Sequence, residues 1–150
     1  MLPTLSSPTK KPYHSLLVGA SMGLMALTFS QTAAAIITKN VTYTVDDQAY
    51  EGYYAKADKA NAPFILLIHD WDGLTDYERK RADMLAAEGY NVLVADMFGQ
   101  GIRPTSIEEN KRLTGELYDD RNKMRRILAG ALTAGQLQGN DVRKGTTMGY

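Results

Sequence analysis

Two uninterrupted apolar runs, "FILLI" over Phe64–Ile68 and "VLVA" inside "YNVLVAD" (Tyr90–Asp96), constrain this chain more than any other feature. A strand with one wet face alternates apolar and polar residues, whereas a run with no polar position needs cover on both faces. Between the two runs, Leu74 to Glu88 reads as a helix, with Leu74, Tyr77, Met84 and Leu85 within one arc and Arg81 interrupting it; Gly89 is its stop signal. Strand, helix and strand with short connections predict a right-handed crossover and a parallel sheet with helices on its faces.

The flanking segments extend that unit. "VTYTV" (Val41–Val45) and "AYEGYYAKA" (Ala49–Ala57) alternate with period two around "DDQ", which predicts an antiparallel hairpin at a sheet edge. "MFGQGIRPT" is a loop by its glycine and proline content. "SIEENKRL" predicts a short helix with Ser106 as N-cap and Glu109 as its capping-box partner. A longer helix is expected from about Asp119 to Leu137, burying Met124, Ile127, Leu128 and Ala131. After "GND", the closing stretch "RKGTTMGY" predicts a third covered strand that reaches a turn, with no helix after it to cover one face of the sheet. The expected fold class is α/β, a mostly parallel sheet preceded by an antiparallel hairpin.

Residues 1–35 read as an address. Lys10 and Lys11 precede the uncharged apolar stretch Ser15–Phe29, and Ala33-x-Ala35 offers a small-x-small cleavage site, so a signal peptide cut after Ala35 is expected, with a periplasmic or secreted product. The apolar stretch falls short of the ~20 residues that span a bilayer, so no stable membrane anchor is expected. Residues 36–150, the expected domain, carry 15 basic and 17 acidic side chains, a formal charge of −2. Binding to nucleic acid phosphates needs a clustered positive excess, so nucleic acid is not an expected partner. The chain holds no cysteine, which excludes disulfides, and no zinc-ligand spacing, so no metal or other cofactor is expected.

Ligands of open α/β sheets bind beyond the carboxyl ends of the strands, and three such ends are candidates. "HDWDG" (His69–Gly73) places an imidazole and two carboxylates in four residues; it reads equally as a polar strand end with His69 bonded to backbone. Asp96 precedes "MFGQG", but Pro104 takes the sixth position of the dinucleotide pattern and no helix opens there, which argues against nucleotide binding. The third is "MGY", where a strand running into Gly149 and Tyr150 supplies the first two positions of a Gly-x-nucleophile-x-Gly elbow.

Taken in order, "PFILLIHDWDGL", "RADMLAAEGYNVLVADMFGQGIRP", "DDRNKMRRILAGAL" and "DVRKGTTMGY" resemble the amino-terminal half of the dienelactone hydrolase family, within the α/β-hydrolase superfamily, over roughly Asn40 to Tyr150. The resemblance implies cleavage of a small-molecule ester or lactone by a Cys-His-Asp triad, with the cysteine in an elbow that usually reads Gly-Tyr-Cys-x-Gly-Gly. It implies that Asp70 is the acidic residue beside the resting thiol, that the Trp71 backbone N–H is half of the oxyanion hole, and that Tyr150 immediately precedes the nucleophile. Gln100 falls where dienelactone-cleaving members place an arginine for the substrate carboxylate; Arg103 is a second candidate for that mouth.

On this reading the nucleophile, triad aspartate and histidine lie beyond residue 150, and the 150 residues alone are expected to be inactive. His69 is on the wrong strand to stand in for the missing base. Three accounts of the ending stay open: a gene fragment, a recoded stop triplet that specifies selenocysteine (a serine or cysteine nucleophile being the other identities), and a self-sufficient exported binding protein or pseudoenzyme without chemistry.

Overall fold

The computed structural model describes residues 35–150. The expected leader, up to its last alanine, lies outside the described residues. Strands β1 (Ile37–Val45) and β2 (Gln48–Lys56) form the expected hairpin, followed by β3 (Phe64–Ile68), helix α1 (Asp76–Ala87) and β4 (Asn91–Ala95). Then come α2 (Ile107–Asp119), α3 (Arg121–Leu137), a single 3-10 turn (Val142–Lys144) and β5 (Thr146–Gly149). The five strands lie in the order β1-β2-β4-β3-β5. β1 with β2 and β2 with β4 are antiparallel, while β3 is flanked on both sides by parallel neighbours, β4 and β5.

The two apolar runs behave as their composition demands. Successive side chains of a strand leave on opposite faces, and both faces here are covered. Phe64 and Leu66 of β3 join Leu93 and Ala95 of β4 under Ile127 and Ala131 of α3. Ile65 and Leu67 join Val92 and Val94 under Ala82 and Ala86 of α1. Burying a large aliphatic side chain contributes roughly 1.5–3 kcal/mol, so these interleaved strands are the energetic centre of the domain.

The helix α1 departs from the expected arc. Its buried residues are Glu78, Ala82 and Ala86, whereas Tyr77 and Met84 are exposed. The sheet beneath already carries branched side chains, so α1 sits close by presenting small ones, and the bulky residues turn away. Its start has a signal that the apolar arc obscured: Thr75 caps the helix, and the buried Glu78 carboxylate accepts from Thr75 N at 2.8 Å and Oγ1 at 2.6 Å, a capping box.

Ser106 does cap α2, accepting from the Glu109 N–H at 3.2 Å. The Glu109 carboxylate reaches one residue further back than a capping box requires, to Thr105 N at 2.8 Å. α2 continues to Asp119 rather than stopping near Leu113, and Asp120 then ends it and caps α3 through Lys123 N at 2.8 Å. In α3, Ile127 and Ala131 are buried while Met124 and Leu128 lie at the margin of the core. Gly135 is needed at close quarters, because a Cβ there would stand 2.6 Å from the Phe64 ring. The hairpin turn is the two-residue Asp46-Asp47, both with positive φ (49° and 61°), the twist that tight hairpins require.

The closing strand corrects a further expectation. β5 is not covered: Thr146, Thr147 and Gly149 are exposed and Met148 is half-buried against the α1 face. It has a single neighbour, β3. Its composition, β-branched but hydroxyl-bearing, matches an edge strand exposed on both faces, with only Met148 turned into the core.

Candidate active site

The carboxyl ends of β3, β4 and β5 come together at one end of the sheet, and between them and α2 lies a cleft of about 380 Å³. The register places each contributor. Ile68 of β3 pairs with Ala95 of β4 on one side and Gly149 of β5 on the other, so His69, Asp96 and Tyr150 are the next residues out on three adjacent strands. Asp70, Trp71 and Tyr150 line the cleft together.

His69 is a strut. Its Nε2 accepts the Met97 N–H at 3.1 Å and its Nδ1 donates to the Asp70 carbonyl at 2.7 Å, which uses both ring nitrogens and defines a neutral tautomer. Burial holds its pKa below the ordinary histidine value. The ring also packs tilted on Phe98, with centroids 4.7 Å apart. With its acceptor nitrogen already occupied, it has no lone pair for a substrate proton.

Asp70 and Asp72 form a coupled acid pair. The Asp70 carboxylate accepts the Asp72 N–H at 3.1 Å, and Asp72 Oδ1 is buried without a partner. Two carboxylates this close satisfy each other by sharing a proton. The shared hydrogen bond lowers Asp70 and, with burial and the Asp70 charge adding to it, raises Asp72 to about 6. The pair therefore gives up its shared proton around pH 6, well above the ordinary carboxylate range. Residue type flagged both carboxylates and the family resemblance singled out Asp70; the pairing with Asp72 depends on a turn geometry that neither encodes.

Trp71 is 43% exposed at the rim. Among the described residues its backbone N–H meets no backbone acceptor, as a donor reserved for an oxyanion requires. Tyr150 is held from the side: its hydroxyl accepts from Arg81 Nε at 2.8 Å and its ring meets Tyr77 edge-on, with centroids 5.2 Å apart. Tyr77, expected within the buried arc, and Arg81, which interrupts it, thus both contact Tyr150 where β5 leaves the sheet.

Gln100 and Arg103 are not brought to this cleft. Gln100 is exposed and reaches back to the hairpin, its side chain to Glu51 at 3.4 Å and its N–H to the Ala49 carbonyl at 2.9 Å. Arg103 is bound to its own loop, donating to the Ile102 carbonyl at 2.6 Å, and lies 3.7 Å from the Asp96 carboxylate. Asp96 is fully buried and accepts from Glu51 N, Phe98 N and Gly99 N at 3.0–3.1 Å. It ties hairpin to loop and leaves no oxygen for a ligand. The cleft wall opposite β3 comes instead from Thr114, Leu117 and Tyr118 of α2 and Met124 of α3, which no motif announced.

Among known families, the dienelactone hydrolase family matches residues 50–150. No curated protein matches the chain. Among solved structures, a protein named m3DLH is 25% identical with a TM-score of 0.73, over 77% of this chain and 50% of its own. A dienelactone hydrolase-like promiscuous phosphotriesterase from metagenomic libraries is 27% identical with a TM-score of 0.71, over 77% and 49%. A dienelactone hydrolase from Anabaena variabilis, 20% identical with a TM-score of 0.51 over 78% and 52%, shares the fold. The chain spans about half the length of these structures.

Proposed function

This chain belongs to the dienelactone hydrolase family, and from that premise we propose that its cleft is one wall of an ester- or lactone-cleaving site whose nucleophile follows directly after Tyr150. The observation that carries the proposal is the register of β5. Gly149 stands level with Ile68, and Tyr150 follows it into the cleft that Asp70 and Trp71 also line, which supports a nucleophile leaving the sheet at this mouth. On this proposal a thiolate there attacks a carbonyl whose oxygen is taken by the Trp71 N–H.

In the proposed reaction the nucleophile adds to the ester carbonyl, and the Trp71 N–H and the N–H of the residue after the nucleophile take the developing negative charge. A histidine outside the described residues carries the proton to the departing alcohol, and water then releases the acid. The Asp70–Asp72 pair, whose two carboxyls share a proton below about pH 6, sits beside the resting nucleophile. Arg81 and Tyr77 keep Tyr150 aligned. Export, on the reading of residues 1–35 as a leader, is part of the same proposal; a mature amino terminus at Ile36 would support it.

The test is turnover of 4-nitrophenyl acetate. The 150-residue chain is expected to show none above buffer, while the protein produced from the same reading frame continued past Tyr150 turns the ester over and loses this when the residue after Tyr150 is made alanine. Turnover by the 150-residue chain would overturn the placement of the nucleophile. A codon after Tyr150 that specifies neither cysteine, serine nor a selenocysteine-type stop would overturn it too.

A further inference from the structure

The two hydrogen bonds of His69 do different work. The bond at Nε2, from the Met97 N–H at 3.1 Å, crosses from the end of β3 to the end of β4 and joins two elements. The bond at Nδ1 runs only to the next residue, the Asp70 carbonyl, at 2.7 Å. So short a span joins no elements. What it does fix is a peptide plane, because the Asp70 carbonyl and the Trp71 N–H belong to the same peptide unit.

Among the described residues every peptide bond is trans, and in a trans unit the C=O and N–H are coplanar and point opposite ways. A donor on the carbonyl therefore sets the direction of the N–H. The Gly73 N–H also approaches this carbonyl, at 3.4 Å, so the turn after β3 closes on the same oxygen and the imidazole supplies the shorter of its two bonds. The Trp71 N–H leaves the opposite edge of the unit and, among the described residues, meets no backbone acceptor. The ring that holds the plane is held in turn. It is buried and packs on Phe98 with centroids 4.7 Å apart, and burial keeps it in the neutral form that carries its proton on Nδ1. A peptide whose carbonyl accepts a hydrogen bond is also polarised into a better N–H donor.

We infer that His69 is a positioning residue for ester cleavage: by donating from Nδ1 to the Asp70 carbonyl it locks the Asp70–Trp71 peptide so that the Trp71 N–H stands ready for the substrate oxyanion. This rests on the hydrolase reading of the cleft. An oxyanion donor is effective because it is already aimed where negative charge develops; a peptide plane free to rotate loses part of that effect to realignment. His69 is not a catalytic residue, since both of its nitrogens are spent on the protein. It acts through the peptide that follows it.

Two substitutions separate the two bonds, because an asparagine amide nitrogen falls near the place of Nδ1 and a glutamine amide oxygen near that of Nε2. His69→Asn keeps the donor to the Asp70 carbonyl and gives up the acceptor for Met97; His69→Gln does the reverse. In the protein continued past Tyr150, with 4-nitrophenyl acetate, His69→Gln is expected to lower kcat about 10–100-fold at unchanged KM, somewhat less than outright loss of an oxyanion donor. Its urea midpoint should stay near that of the unsubstituted protein. His69→Asn is expected to lose urea resistance and to keep most of kcat. A turnover-free reading comes from the 150-residue chain: in a proton–nitrogen correlation NMR spectrum the Trp71 amide should stay a single sharp resonance in His69→Asn and broaden or double in His69→Gln. A kcat that follows stability in both variants, or a Trp71 amide that behaves alike in both, overturns the inference and leaves the hydrolase reading standing. If the continued protein with His69 intact turns over no ester, the hydrolase reading falls and the part of His69 in catalysis falls with it.

Discussion

The ends of β3 and β4 carry aspartates at neighbouring positions of the same sheet, yet they do opposite things. Asp96, after β4, is fully buried with three backbone N–H groups and a guanidinium around its carboxylate. Asp70 and Asp72, after β3, are partly exposed and have chiefly each other, with one Asp72 oxygen left over. A carboxylate whose lone pairs are all occupied is a joint; one that lacks a donor is available for chemistry. Strand-end position makes an acid a candidate, and its hydrogen-bond partners decide which kind it is.

Removing the joint should cost most. Asp96→Ala strands the N–H groups of Glu51, Phe98 and Gly99 and leaves Arg103 facing a void, for an expected loss of about 3–5 kcal/mol; a thermal melt followed by circular dichroism should lose its cooperative transition. An Asp96→Ala melt no different from that of Asp72→Ala would erase the contrast between the two strand ends. His69→Ala, which unties the two ends from each other, comes next at about 1–3 kcal/mol for the buried Met97 N–H it leaves unpaired, read by urea denaturation.

The acid pair predicts a gain instead of a loss. Because Asp72 is raised in the folded state to about 6 from 3.8, its contribution to stability is fully present below pH ~4 and is lost as pH rises through about 6. Asp70, lowered, works in the other direction: its contribution is present above pH ~4 and lost as pH falls below it. Asp72→Asn supplies an amide donor to Asp70 without the titrating proton. It should stabilise the chain at pH 7.5 by on the order of 1 kcal/mol after allowance for solvent screening, and flatten the melting temperature between pH 5 and 7. A wild-type melting temperature already flat over that range would contradict the shared proton. The smallest effect is expected at the rim, where Arg81→Ala removes an exposed contact to Tyr150. Global melting should not move, while amide exchange at Gly149 and Tyr150 quickens; unchanged exchange would remove Arg81 from its aligning role.

What could be read in advance follows from the range of the interactions. "FILLI" and "VLVA" show double cover by lacking polar residues, and the hairpin shows itself by alternation around Asp46-Asp47, because these signals are carried within a few neighbours. The α1 arc misled because burial on a sheet is decided by the partner surface: α1 turns Ala82 and Ala86 inward and frees Tyr77 and Arg81 to hold Tyr150. Ser106 was legible as a cap, but the target of Glu109 was settled by the backbone of Thr105.

By itself, the sequence determined the α/β order, the two doubly covered strands, and the strand ends that meet at the cleft, with Asp70 and Trp71 in its lining. Only the tertiary structure decided that Asp96 and Arg103 spend their charge on each other's loop, that Gln100 turns to the hairpin, and that α2 brings Leu117 and Tyr118 to the cleft. Hydrophobic periodicity is summed along the chain, so it survives in the primary sequence. Whether a polar atom is satisfied depends on groups dozens of residues away, and becomes a fact only when strands and helices meet.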